Sequence, residues 1–320
     1  MLTPPTARRA LVALGALALG ALAPLAVPAR PAAAQVRAAA PYPSRCGSGI
    51  PAEEARGYVP LPRGDLFCPL VADPKGLHSF VSYQRGDALQ FAANIASVAI
   101  ADAFGLLRFG GGRPGDGVQI GLSAGVFAQF DLDAPSYDLI NADYLIGLPI
   151  TLRRGGFSAR VRVYHQSSHL GDEFLLREAR PDQVQRENLS FESAELLVSQ
   201  DVGALRVYGG GENFFNRAPA GLAARLAHAG AELRPEASLR FGTAGRVRPI
   251  AAVDVKVVDD DAVRTGVSVR AGLEVGRPRE GAVPSRRWSL LYEFYDGPSP
   301  YGQFYGTDVR LNGIGFHFAL

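Results

Sequence analysis

Hydrophobic and polar residues alternate along most of this chain, in stretches separated by short clusters of turn residues. Val118, Ile120 and Leu122, for example, alternate with Gln119 and Ser123. Side chains two residues apart share one face of a strand, so each stretch has one apolar and one polar face. Many stretches run to ten or more residues, whereas strands of soluble proteins average about five or six. The pattern predicts long β-strands.

Twelve such stretches can be delimited. They lie near 77–86, 90–109, 117–131, 138–154, 157–169, 188–201, 204–213, 222–234, 246–259, 262–276, 286–296 and 308–320. Membrane-spanning strands of about ten residues with a period of two are typical of outer-membrane barrels, whose strand number is even. The predicted fold class is all-β, a transmembrane antiparallel β-barrel of about 12 strands. Apolar faces would point outward, and both chain ends would lie in the periplasm.

The first 34 residues are predicted to be a secretory signal peptide. Arg8 and Arg9 precede an apolar run over residues 10–25, and Ala32-Ala33-Ala34 supplies a small-residue cleavage site. A membrane anchor is the alternative, but the run falls short of the roughly 20 residues that a spanning helix needs. The predicted domains are the signal peptide (1–34), a Pro-rich periplasmic arm (35–76) and an outer-membrane barrel (77–320).

Cysteine occurs twice, at Cys46 and Cys68, within the predicted exported arm. In an oxidising compartment the two are expected to form a disulfide, with two free thiols as the alternative. No histidine or further cysteine stands nearby at metal-ligand spacing. The formal net charge of +2 does not indicate nucleic acid as a partner.

Three runs carry a resemblance to a known family. They are GVFAQFDLDAPSYDLINADYLIGLP (125–149), RVRVYHQSSHLGDEFLL (160–176) and RVYGGGENFF (206–215). They resemble the bacterial family catalogued as domain of unknown function 1207, which implies an outer-membrane barrel and no particular activity. The last strand also resembles the C-terminal recognition strand of outer-membrane barrels, although it ends in Leu320 where Phe is usual. That resemblance implies the barrel assembly machinery as a partner.

Candidate chemistry lies on the strand predicted at 157–169. His165 and Ser167 share its apolar face, close to the end that leads into a long connection. Aligning the apolar faces of this strand and the next places Glu192 opposite His165, whereas a slip of two residues would substitute Ser190 or Ala194. The pair is similar to the His-x-Ser motif of outer-membrane phospholipase A and of the outer-membrane lipid A deacylase, which implies an acyl-ester hydrolase. Here Ser168 follows the pair, whereas those families tend to have Asn.

The predicted catalytic residues are Ser167 as nucleophile, His165 as base and Glu192 as the residue that orients His165, with Asn188 as the alternative orienter. The substrate would be phospholipid or lipid A in the outer membrane. A non-catalytic barrel remains the other hypothesis: an anchor, a narrow channel or an assembly partner, with His165 and Ser167 simply lying among lipid headgroups.

No cofactor is required by either hypothesis. Asp172 and Glu173 offer oxygen ligands for a cation such as Ca²⁺, or they begin a solvated loop. Charged residues on the polar strand faces are predicted to pair with each other inside a narrow lumen. They are Arg160, Arg162, Glu195, Asp254, Lys256, Arg264, Arg270 and Glu274.

Overall fold

The computed structural model describes residues 50, 52–86, 94–176, 186–242, 245–259, 263–276 and 287–319. The predicted signal peptide and Cys46 lie outside these residues. The strands are β1 (Tyr58–Pro60), β2 (Ser79–Gly86), β3 (Asn94–Gly110), β4 (Gly117–Asp131), β5 (Leu139–Arg154), β6 (Phe157–Leu170), β7 (Leu189–Val202), β8 (Leu205–Ala218), β9 (Arg225–Leu233), β10 (Leu239–Phe241), β11 (Gly245–Asp259), β12 (Val263–Gly276), β13 (Arg287–Pro298) and β14 (Asp308–Ala319).

Twelve of these strands form a closed antiparallel barrel, as predicted. Neighbouring strands are hydrogen-bonded in the order β3-β2-β14-β13-β12-β11-β9-β8-β7-β6-β5-β4. The pairing of β4 with β3 closes the ring. The short strands β1 and β10 add to β3 and β11, respectively. Closure leaves no unpaired edge around the ring, which is the condition for placing strands in a bilayer.

The barrel has its apolar faces outside and its polar faces inside. Ile146, Leu148, Val161 and Val163 are exposed on the outer wall, whereas the alternate residues of the same strands are buried. Val118, Ile120 and Leu122 and the row Val267, Val269 and Ala271 lie on the more exposed, outer face of their strands, as predicted. Such an outer surface suits contact with lipid.

The two ends of the barrel differ in their connections. At one end, two-residue turns join β5 to β6 and β7 to β8, and each begins with a glycine at positive φ, Gly155 (61°) and Gly203 (59°). Glycine adopts that conformation without strain, which tight hairpins exploit. The connections that leave β6 at Leu170 and β13 at Pro298 begin at the opposite end, here called the long-loop end. It contains the five-residue helix α1 (Asp172–Leu176) and a 3₁₀ turn (Gly302–Phe304). No helix in the described part of the chain reaches the length and hydrophobicity of a membrane span.

Residues 66–78, here called the plug, run through the inside of the barrel before β2 begins. Most of them are buried: Leu66, Phe67, Cys68, Leu70, Val71, Ala72, Asp73 and Leu77. A periplasmic arm is predicted over residues 35–76, and from Leu66 onward the described part of that range lies within the lumen. No period-two pattern marks the plug, because its side chains face the barrel interior on several sides.

Cation–π contacts and hydrogen bonds hold Phe67 and Cys68, near the start of the plug. The guanidinium carbons of Arg160 and Arg206 each lie 4.8 Å from the centre of the Phe67 ring. Arg206 also donates hydrogen bonds to the Cys68 carbonyl oxygen at 3.2 and 3.3 Å. Cation–π contacts of this kind gain strength where water is excluded.

Ion pairs hold residues 73–75, here called the tip of the plug. Asp73 Oδ1 lies 2.7 Å from Lys256 Nζ, and Lys75 Nζ lies 2.5 Å from Asp143 Oδ2. Burial lowers the pKa of the Lys75 ammonium, and the Asp143 carboxylate works in the opposite direction. Burial opposes ionisation of Asp73, but Lys256, His228 and the hydrogen bonds from Lys256 and Lys75 together outweigh it, and the pKa of Asp73 lies below its usual value.

The charges on the inner strand faces pair as predicted, with additional partners that the sequence did not identify. Glu195 binds both Arg160 (2.6 Å) and Arg162 (2.7 Å). Other pairs are Arg270 with Glu293, Arg248 with Glu274, and Arg264 with Asp308. The lumen is therefore filled by the plug and by a network of paired charges, apart from small cavities.

Candidate active site

The candidate site lies on the outer wall, near the long-loop end of β6. His165 and Ser167 both point outward, because they occupy alternate positions on the face that also carries Val161 and Val163. The side chain of His165 is 45% exposed. Ser167 stands three residues before the end of the strand.

The strand register brings Glu192 to His165. On β7, Glu192 is directly opposite His165, and Ser190 is opposite Ser167. His165 Nδ1 lies 3.2 Å from Glu192 Oε1. An ionised carboxylate only accepts hydrogen bonds, so this contact assigns the ring hydrogen to Nδ1. Nε2 is then the free acceptor, as in a base that a carboxylate orients.

Ser167 is near this pair but is not bonded to it. In the described part of the chain, no hydrogen bond joins the Ser167 hydroxyl to His165. The Cα atoms of residues i and i+2 on a strand are about 6–7 Å apart, so rotation of the Ser167 and His165 side chains is needed for contact. Hydrogen bonds at catalytic sites are often long or absent before substrate binds.

A β-bulge lies beside Glu192. The pairing of β7 with β8 shifts between Ser190 and Glu192, so that Ser190 faces Ala218 and Glu192 faces Phe215. Bulges bend a strand locally and re-aim its side chains, and they occur often next to active sites. The sequence carried no signal for this irregularity.

The second oxygen of Glu192 is enclosed. Oε2 is buried and has no hydrogen-bond partner among the described residues. A buried acceptor without a partner carries a desolvation cost, so such groups are rare in native proteins. The carboxylate is therefore held against the wall with one oxygen on His165.

Other residues singled out by the sequence lie apart from this site or outside the described chain. Asn188 is exposed and precedes β7, which starts at Leu189. Asp172 and Glu173 are exposed at the start of α1. Among the described residues, no three His, Cys, Asp or Glu side chains form a metal-binding group. Cys68 is buried in the plug, and its disulfide with Cys46 stays a prediction.

Aromatic rings lie beside His165 and Ser167 on the side of β5. Tyr144 is opposite Ser167, and Ile146 is opposite His165. The ring of Tyr144 meets that of His169 edge to face, with centres 5.7 Å apart. Aromatic side chains of this kind are enriched where a barrel wall meets the membrane interface, which is the level at which lipid esters lie.

The closed barrel, its apolar outer wall and its polar, plugged lumen define the fold class of outer-membrane β-barrels. The chain belongs to the family described as Protein of unknown function (DUF1207), whose model matches residues 40–320.

Several solved structures of outer-membrane proteins are similar to the chain at low sequence identity. The outer membrane phospholipase (OMPLA) dimer with bound calcium from Salmonella typhi is similar with a TM-score of 0.51 and 12% identity, covering 77% of this chain and 93% of that one. Outer membrane phospholipase A from Escherichia coli gives a TM-score of 0.49 and 12% identity, over 76% and 90%. The beta domain of the Bordetella autotransporter BrkA gives 0.41 and 11%, over 76% and 97%. No curated protein matches the chain.

Proposed function

We propose that this protein is an outer-membrane acyl-ester hydrolase acting on phospholipid or lipid A, with Ser167, His165 and Glu192 as its catalytic residues. The observation that carries the proposal is the 3.2 Å contact between His165 Nδ1 and Glu192 Oε1, on the outer wall and two residues from Ser167. A histidine that a carboxylate orients, beside a serine, is the arrangement that activates a serine nucleophile.

The reaction would proceed through an acyl-enzyme. Ser167 Oγ attacks the ester carbonyl carbon while His165 Nε2 takes the hydroxyl proton. The ester C–O bond breaks, and the proton passes from His165 to the departing alcohol oxygen. A water molecule then hydrolyses the acyl-serine with His165 again as the base. Glu192 stabilises the imidazolium that forms in both steps.

The position of the site suits a lipid substrate. The three side chains lie on the outer face of the wall, so a lipid would reach them by lateral diffusion in the bilayer. Their place near the long-loop end corresponds to one membrane interface, where acyl esters meet water. The sequence places that end outside the cell, which would make the outer leaflet the source of substrate.

The alternative is a non-catalytic outer-membrane barrel. Its channel version is disfavoured by the plug, whose tip is held by the Asp73–Lys256 and Lys75–Asp143 ion pairs inside the lumen. The anchor and assembly-partner versions stand as the competing proposal. In either case we propose insertion by the barrel assembly machinery through β14, an outer-membrane location and no nucleic-acid partner.

The test is a lipid hydrolysis assay on the purified full chain in detergent. Phospholipid and lipid A are offered separately, with Ca²⁺ or with a chelator, and released fatty acid is measured. Wild type should release fatty acid and Ser167→Ala should not. Ser190→Ala is the matched control, because Ser190 is also outward-facing and lies directly opposite Ser167. Equal release by wild type and Ser167→Ala under every condition would leave the non-catalytic barrel.

A further inference from the structure

A cavity of about 180 Å³ lies inside the barrel, between the tip of the plug and the connections 219–224 and 299–307. Asp73, Pro74 and Lys75 form its floor. Phe191 and Phe214 face it with their ring centres 5.0 Å apart. Leu189 and Leu226 line the same cavity. The cavity therefore has an apolar wall.

Arg162 lines this cavity, and its buried guanidinium has nitrogen atoms without a hydrogen-bond partner among the described residues. The residue is 5% exposed. Its Nη2 donates to Glu195 Oε2 at 2.7 Å, but Nε and Nη1 have no partner among the described residues. Its guanidinium carbon lies 4.5 Å from the centre of the Tyr164 ring. Buried donors without acceptors are rare in proteins and costly, so an acceptor placed in the cavity would be bound favourably.

Glu212 contributes the opposite charge. The Tyr164 hydroxyl and the Ser193 hydroxyl both donate to Glu212 Oε2, at 2.5 and 2.9 Å. Glu212 lines the cavity, and neither of these hydrogen bonds uses Oε1. Since Tyr164 stacks under Arg162 and bonds Glu212, the cation and the anion flank a single aromatic ring.

The other charged groups that line the cavity are already paired. Lys256 pairs with Asp73 at 2.7 Å, and Lys75 pairs with Asp143 at 2.5 Å. Arg264 pairs with Asp308 at 2.5 Å. Arg162, in contrast, shares Glu195 with Arg160, and within the described ranges Glu212 has no arginine or lysine among its hydrogen-bond partners. One cation and one anion are thus left with incomplete partners.

We propose that this cavity binds a small zwitterion, an α-amino acid with an apolar side chain. The ligand carboxylate would accept from Arg162, its ammonium would donate to Glu212, and its side chain would pack on Phe191 and Phe214. An engineered cavity of about 150 Å³ holds benzene, so about 180 Å³ suits a ligand the size of leucine. This site is inside the barrel and is independent of the outer-wall residues.

Calorimetric titration of the purified full chain with L-leucine tests the proposal on unaltered protein. N-acetyl-leucine lacks the ammonium and leucinamide lacks the carboxylate, so each should bind at least about tenfold more weakly, the order expected for losing a charge-assisted hydrogen bond. Glycerophosphoethanolamine tests a zwitterion derived from lipid. Its binding in place of leucine, or equal binding of the two blocked leucines, would overturn the proposal, as would no leucine binding at about 50 mM.

Two variants and one matched control locate the binding. Arg162→Gln and Glu212→Gln should each weaken leucine binding by about tenfold or more. Arg160→Gln is the control, because Arg160 lies on the same face of β6 and binds the same Glu195, but it lines a different cavity. Leucine binding should survive in Arg160→Gln. Equal loss in Arg160→Gln and Arg162→Gln would overturn the assignment.

Discussion

Two histidine–carboxylate pairs, one on each side of the barrel wall, show that the same chemical groups can have different roles. Inside, His317 Nε2 lies 2.8 Å from Glu293 Oε1, and His317 Nδ1 lies 3.0 Å from His78 Nε2. Glu293 also binds Arg270 at 3.0 Å and Gln84 at 3.0 Å. Every polar atom of this inner pair is engaged, so the pair cross-links β13, β14 and the plug.

Outside, only half of the His165 ring is engaged. Glu192 holds Nδ1, and no hydrogen bond to Nε2 is found among the described residues. The side chains of the outer pair are 45% and 33% exposed, against 6% and 5% for the inner pair. A saturated, buried pair contributes structure, whereas an accessible pair with a free ring nitrogen can move a proton.

Removing the nucleophile or the base should have the largest effect. Ser167→Ala and His165→Ala are each expected to lower fatty-acid release by about 10³-fold or more, and the double variant should be little worse, since such residues act as a unit. The measurement is released fatty acid per mole of folded barrel. Thermal unfolding should barely change, because neither side chain packs the lumen. Additive losses in the double variant would contradict a shared mechanism.

Breaking the inner pair should affect stability instead of activity. Glu293→Gln leaves the buried Arg270 without its counter-charge, which costs about 3 kcal/mol or more, and it removes the carboxylate that His317 contacts. Denaturant unfolding of the purified barrel measures the loss. Hydrolysis per folded molecule should match wild type. A variant that lost activity but kept full stability would show that the lumen network has a catalytic role.

Removing the orienting carboxylate should have an intermediate effect on activity and little on stability. Glu192→Gln is expected to lower hydrolysis by about tenfold or more, because the imidazolium loses its partner. An exposed pair contributes about 0–1 kcal/mol, so unfolding should shift little. Asn188→Ala is the companion variant for the alternative orienter and should keep full activity. The reverse result would assign the role to Asn188.

The smallest effect concerns Asp65, a carboxyl of the lumen entrance that precedes the plug. Burial, and then the charge of Asp102, raise the pKa of Asp65 to about 7. The folded state then binds more protons than the unfolded state between about pH 4 and 7, so stability should fall as pH rises through that window.

Unfolding midpoints at pH 5 and pH 8 test this expectation. Asp65→Asn should lose less stability than wild type between pH 5 and pH 8. Its unfolding midpoint at pH 8 should be higher than that of wild type. Glu53→Gln, at an exposed acidic position, serves as the control and should keep the wild-type slope. An unchanged slope in Asp65→Asn would place the pH dependence elsewhere.

The strand pattern was predictable because alternation reports which face meets which environment. The stretch predicted at 157–169 is β6 (Phe157–Leu170), and the stretch predicted at 246–259 is β11 (Gly245–Asp259). β8 runs to Ala218 instead of the predicted 213, because the adjacent Phe214 and Phe215 interrupt the alternation. Phe214 lines the inner cavity, and Phe215 is exposed on the outer wall.

The candidate site could be predicted as far as the pairing register of β6 and β7, because that register decides which residues face each other. Aligning the apolar faces of β6 and β7 places Glu192 opposite His165, and the structure has that pairing. A slip of one residue would turn every apolar side chain of a strand to the wrong face, so the pattern excludes it. A slip of two residues keeps the faces and would bring Ser190 or Ala194 to His165, and the structure has the predicted register. The bulge beside Glu192 and the orientation of the Ser167 hydroxyl depend on neighbouring strands and carry no sequence signal.

The sequence by itself determined the strands and their outer and inner faces, because these follow from local alternation. It predicted the opposition of His165 and Glu192 up to a slip of two residues, which the structure resolves. Only the tertiary structure decided what fills the barrel. Lys75 meets Asp143, 68 residues away, and Asp73 meets Lys256, 183 residues away. Contacts between such distant residues are set by closure of the barrel around the plug. The amphipathic cavity above the plug has the same origin, since its walls come from strands that no local pattern brings together.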